Sequence, residues 1–544
     1  MEICILSNMA KVFQDEIPNR YSSLDELNSL YGEEIQFQVA IRNTQEKVSL
    51  RFLVDGLSSC RVFRVRQVPV ACPARWEWDS NYLRTEPGLY PDLLEEFSNG
   101  AVVHVTEEWC SILVQGIAPR IGICPIHVGL YDRGNQNLLA KRHLTLRCSS
   151  VSLPYQTLRY TRWFHCDSLA DYYRVSVFGE EHWHIMENFL HSAASQGMNM
   201  VLTPIHTPPL DTEIGEERTT VQLVKIFYKN KFWSFDFSLL DRWVEMCHRV
   251  GIHYFEMAHL FTQWGASAAP KIVVETEKGE KRFFGWDTPS DGEDYQNFLQ
   301  HYLPALTSHL TSLGIAKFCY FHISDEPSEQ HLSRYMALKN FVSPLLNGFH
   351  IMDALSDVEL FRQGAVNYPI PSNDVADEFL QENVPERWTY YCCAQKVNVS
   401  NSFIAMPGER TRILGIQLYR MGIQGFLQWG LNYYYTEHTG RLVNPFLCTD
   451  GDGSWQAGDP FNLYPGSDGN PIESLRSRLM ASALSDLSAL EALENRIGRK
   501  AVCDMLDSEA GKPITFRDYP HKEEFILRIR RIVNDLMETW NDQP

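Results

Sequence analysis

Residues 318–331 read FCYFHISDEPSEQH, and the composition changes sharply within that stretch. Six strand-forming residues, Phe318 to Ile323, lead into Ser324, two adjacent acids, Asp325 and Glu326, and then Pro327, which ends any strand. The following run, SEQHLSRYMALKNFVSPLL, takes up a helical spacing. A buried strand that delivers polar groups to a loop and continues into a helix is the building unit of a parallel α/β fold.

The unit recurs. Strand-like runs occupy 157–165, 199–206, 252–260, 316–323, 349–355, 365–370, 387–393 and 425–431. Helical runs such as EEHWHIMENFLHSAASQG and FSLLDRWVEMCHRVG lie between them, mostly closed by Gly or a polar turn. Eight strands suit a closed (β/α)₈ TIM barrel, and no Gly-rich phosphate turn follows the first strand, which argues against a doubly wound sheet. In such a barrel the loops after the strands form the active face, and Asp325 and Glu326 are expected to terminate strand four. Two like charges at the rim of a core repel each other and resist desolvation, so their placement calls for a chemical use or a surface one.

The chain preceding the barrel has a different rhythm. Runs such as EIQFQVAIRN, VSLRFLVDGL, CRVFRVRQVPV and GICPIHVGLYD alternate with period two between turn residues. They predict an antiparallel β-sandwich over residues 1–150, with SSVSLPYQT as linker. The barrel is expected over 155–495 and a helical extension over 496–544, the helix from PIESLRSRL onward completing the barrel.

Composition narrows the partners. A net charge of −19 with no long Lys/Arg block argues against nucleic acid or an anionic membrane surface. No apolar run reaches the length of a membrane span. The 13 Cys are dispersed without a C-x-x-C pair, and the N-terminus has no basic, signal-like segment, so the reading is a reducing, cytoplasmic protein unless a signal is missing from this sequence. Aromatic residues make up 12%, enough to leave rings for a sugar site as well as a core. The DGDG at 450–453 resembles half of a calcium loop, but its twelfth position is Phe461 rather than Glu, and no clustered ligand set is evident, so no metal or cofactor is expected.

Polar and aromatic residues gather at the predicted strand ends: Arg162, Trp163 and His165 on the first, His259 on the third, Asp353 on the fifth, Tyr390 and Tyr391 on the seventh, Trp429 and Asn432 on the eighth. Any one of these also reads as a satisfied structural residue; together they read as a ligand site. Paired carboxylates suit glycoside hydrolysis, but the usual pair faces across the bond from different strands, and sequence neighbours generally point apart.

The motifs HISDEPS, GFLQWGLNYYY and DGDGSWQAGDPFNLYPGSDGNPIESLRSRLMASALSDLSALEAL resemble glycoside hydrolase family 123, over about 155–495 and most strongly from 318 onward. The resemblance implies a retaining exo-β-N-acetylgalactosaminidase whose substrate supplies the nucleophile, its own 2-acetamido oxygen. Asp325 would orient and stabilise the acetamido N–H, and Glu326 would act as acid and then base. The implied partner is a terminal β-linked N-acetylhexosamine. Trp429, Trp455 and Tyr464 are candidates to wall the sugar, Tyr390 or Tyr391 to donate to the acetamido oxygen, and Asn432, His259 and Arg162 to complete substrate binding. Two alternatives stand beside this reading: a conventional retaining glycosidase using Glu326 with Asp353 or Glu256, and a noncatalytic carbohydrate-binding barrel.

Overall fold

The computed structural model describes residues 1–45, 47–134 and 137–541. Two five-stranded sheets come first. One is ordered Glu2–Ser7, Glu34–Arg42, Cys110–Ile117, Ser58–Val70, Gly88–Phe97; the other Glu26–Tyr31, Leu138–Ser152, Gly122–Asp132, Val48–Asp55, Val102–Val105. The alternation seen in the sequence is what buries them: in Val48–Asp55 the residues Leu50, Phe52 and Val54 turn inward. They meet Phe37, Val39 and Ile41 of the other sheet in one core. One pair departs from the antiparallel expectation, since Glu26–Tyr31 runs parallel to Leu138–Ser152.

The eight strands of the barrel are Arg159–Arg162, Met200–Thr203, Tyr254–Met257, Cys319–Phe321, His350–Ala354, Tyr368–Ile370, Trp388–Tyr390 and Gly425–Gln428, every adjacent pair parallel. Strands six and seven touch through only a short contact, in which Tyr390 N–H donates to Pro371 O (3.0 Å) and Asn373 N–H to Tyr390 O (2.8 Å), so the barrel is nearly closed.

These strands are shorter than the apolar runs that announce them, and strand four shows why. Its ladder ends at Phe321, because the Ile323 N–H is taken by the Asp353 carboxylate (3.1 Å) instead of a neighbouring carbonyl. Asp325 and Glu326 therefore sit in the loop beyond strand four and do not terminate it.

The helix Leu475–Ile497 closes the barrel's outer layer, starting from a capping box between Ser474 and Ser477. It packs on Leu414–Met421 so closely that a Cβ at Gly415 would lie 1.9 Å from the Ala483 carbonyl. Glu523–Asn541 then crosses to the sandwich, where Asn534 donates to Ser29 O (2.7 Å) and Arg530 pairs with Glu33 (2.5 Å). A four-stranded sheet of two hairpins, residues 225–236 and 272–284, is inserted after barrel strands two and three and rests on the helix Glu293–Ser312. The strand spacing did not reveal it.

Candidate active site

One pocket, with about 130 Å³ of free space, opens at the loop ends of the barrel strands. Trp163, Trp429, Trp455 and Tyr390 give it aromatic walls, and Asp325 and Glu326 give it two carboxylates. Trp429 is fixed by its Nε1–H to Asp459 (2.8 Å) and by Trp455, 5.1 Å between ring centroids. Rings of this kind cover the apolar faces of a sugar.

Adjacent carboxylates reach the same pocket because the backbone turns between them. Glu326 has φ 46°, a left-handed conformation that costs a non-glycine residue about 1–2 kcal/mol. The two side chains are then held from different sides. Asp325, 7% exposed, accepts from Gln263 Nε2 (2.7 Å), while the more exposed Glu326 accepts from Tyr390 OH (2.5 Å). Burial, and then the charge of Glu326, push the Asp325 carboxyl up to about 7. Gln263 is itself oriented, because its Oε1 accepts the Asp211 N–H.

Beneath the pocket lies a buried assembly of charges. His322 bonds Glu256 through Nε2 (3.0 Å) and Asp353 through Nδ1 (3.1 Å). Burial alone would neutralise the ring, but the bonds to Asp353 and Glu256 outweigh it and hold the imidazolium up to about 10. Glu256 also accepts the pocket residue Trp163's Nε1–H (2.5 Å). Both carboxylates are 0% exposed and neither lines the pocket, so neither is placed to attack a sugar.

The expectation that no ligand set clusters is corrected here, since His259, His322 and Asp353 bring ligand atoms within 4.8 Å. A metal shared by two imidazoles lies near both ring planes. The rings of His259 and His322 are stacked instead, 4.3 Å apart at 21°, and both His322 nitrogens are already engaged. The cluster is a buried ion-pair assembly, not built as a metal site.

Of the residues read from the sequence, Trp163, His165, Asp325, Glu326, Tyr390, Trp429 and Trp455 line the pocket. His259, Asn432, Arg162, Tyr391 and Tyr464, expected at the sugar, stand outside the pocket lining. His259 lies below, stacked on His322 and edge-on to Trp163, with no hydrogen-bond partner for either ring nitrogen among the described residues. Asn432 stands behind the wall and holds the backbone of His165, accepting its N–H and donating to its C=O at 3.0 Å each. Arg162 and Tyr391 face the outer layer, because side chains alternate along a strand and their neighbours Trp163 and Tyr390 take the inward direction. There Arg162 ties strand one to strand eight through Gln428 (3.1 Å). Tyr464 belongs to the seam with the sandwich, donating to Asp92 (2.7 Å), which Arg476 grips with two bonds of 2.9 Å.

Gln263, Trp264 and Asp211 also line the pocket and were not singled out from the sequence. They lie in the loops after strands two and three, where no periodicity marks inward-facing residues.

A parallel barrel opening on two carboxylates within an aromatic-walled pocket has the architecture of a glycosidase. The family profile described as Glycoside hydrolase 123, catalytic domain, matches residues 163–493. The chain belongs to this family, and it is a glycosidase with a carbohydrate substrate. A solved family 123 glycoside hydrolase from Clostridium perfringens, described in terms of glycolipid glycan hydrolysis, aligns over 99% of both chains at 16% identity and a TM-score of 0.77. A family 39 glycoside hydrolase from Bacteroides cellulosilyticus aligns over 85% of this chain and 81% of its own, at 10% identity and a TM-score of 0.34. No curated protein sequence matches.

Proposed function

We propose that this glycosidase is a retaining exo-β-N-acetylgalactosaminidase that uses the substrate's acetamido group as nucleophile. The observation that carries the reading is the splayed pair: two neighbouring carboxylates in one pocket, one on Gln263 and the other on Tyr390. In the first step the acetamido oxygen attacks C1, the glycosidic bond breaks, and Glu326 protonates the departing oxygen. Asp325 accepts the acetamido N–H and supports the positive charge that develops on the oxazolinium ring. In the second step Glu326 takes a proton from water as the water attacks C1, and the ring opens with the β configuration restored.

The engagement of Glu256 and Asp353 by His322 speaks against the conventional two-carboxylate alternative, since using either as nucleophile would break a buried ion pair. The glycolipid glycan named for the Clostridium perfringens relative is in keeping with a glycan substrate.

The test is a pair of nitrophenyl β-glycosides. The N-acetylgalactosaminide is expected to be hydrolysed with retention, read from the first-formed anomer by NMR, and the unsubstituted galactoside to be at least about 10³-fold slower. Comparable rates for the two would refute the reading.

A further inference from the structure

A third carboxylate lines the pocket. Asp211, in the loop after strand two, is held at φ 42° and its side chain is 19% exposed. Its Oδ2 accepts from Tyr433 OH (2.5 Å) and from the His438 N–H (3.1 Å). Its Oδ1 has no hydrogen-bond donor among the described residues; the nearest basic nitrogen, His438 Nδ1, is 3.9 Å away. Most of the side chain is buried, and that burial pushes the carboxyl upward, while Oδ1 keeps its capacity to accept a hydrogen bond from outside the protein. Asp211 lines the pocket of a glycosidase, whose substrate presents hydroxyl groups.

The wall also has an order. Glu326 adjoins Asp325, Asp325 is bonded to Gln263, and Gln263 is bonded to the Asp211 N–H. This inference rests on the proposed function, in which Glu326 works at C1 and Asp325 at C2. Continuing around the pyranose ring along the same wall brings Gln263 to C3 and Asp211 to C4. We infer that Asp211 accepts a hydrogen bond from the 4-hydroxyl of the bound sugar and so contributes to reading the configuration at that carbon.

The variant Asp211→Asn suits the test because asparagine tolerates left-handed backbone. Tyr433 and His438 donate to the Oδ2 position, so the amide oxygen stays there and the NH₂ group replaces the acceptor offered to the sugar. For the nitrophenyl N-acetylgalactosaminide, kcat/KM is expected to fall about 10- to 100-fold, the scale of a lost hydrogen bond to a charged group. For the 4-deoxy analogue, wild type and variant are expected to agree within about threefold. A purely structural role for Asp211 would give both substrates the same loss, and that result overturns the inference. A loss that disappears for the 3-deoxy sugar but persists for the 4-deoxy sugar overturns it as well. Failure of the proposed function itself is read separately, in the acetamido dependence of the wild type, which the deoxy ratio does not involve.

Discussion

Asp325→Asn is expected to lower kcat about 10²- to 10⁴-fold, because the oxazolinium nitrogen loses its counter-charge and the acetamido group its orienting partner. Glycosyl transfer to Asp325 is not part of the reaction, so no covalent sugar adduct should be trapped there. A thiazoline analogue of the intermediate should inhibit the wild type and bind the variant far more weakly; unchanged binding would remove Asp325 from this role. The same substitution should stabilise the fold in alkaline solution. The folded carboxyl titrates at about 7 against 3.8 for an ordinary aspartate, so the folded state keeps a proton that the unfolded chain releases between those values. Wild-type stability therefore falls as pH rises from about 4 to about 7, at up to about 1.4 kcal/mol per pH unit. Asn does not titrate, so the variant's gain in Tm should be present at pH 8, shrink as pH falls through the interval, and vanish below about pH 4. A gain that is independent of pH would contradict the assignment.

Glu326→Gln should reduce turnover of glycosides with basic leaving groups about 10²- to 10⁴-fold. Dinitrophenyl glycosides, whose leaving group needs no proton, should lose much less in the first step. Added azide attacks C1 without a base, so it should restore the second step and yield a β-glycosyl azide. Equal losses across leaving groups, with no rescue by azide, would show that Glu326 is not the acid and base.

The barrel was legible because each parallel strand is a compact apolar run between helices, and the sandwich because its strands alternate. The inserted hairpins left a fainter trace: KIFYKNKFWSFD alternates on both sides of Asn230 and Lys231, which both take positive φ, but it is short and heavily charged. Within the site, the sequence exposed the acid pair by its position after a strand, and Trp429 and Trp455 by motif. It left the inward direction undecided between Arg162 and Trp163 and between Tyr390 and Tyr391, where a one-residue shift reverses every side chain. His259 and Asn432 are polar at strand ends for another reason, one supporting a buried imidazolium and the other the backbone of His165. Gln263 and Asp211 meet Asp325 only through loop geometry, which no local pattern encodes.

Participation of the acetamido group is tested most directly by fluorinating it. Across aryl glycosides carrying N-acetyl, N-fluoroacetyl, N-difluoroacetyl and N-trifluoroacetyl groups, each fluorine withdraws electrons from the carbonyl oxygen while the leaving group stays the same. If that oxygen is the nucleophile, log kcat/KM should fall steeply and steadily along the series. A flat response would mean that the protein supplies the nucleophile and would contradict the roles given to Asp325 and Glu326.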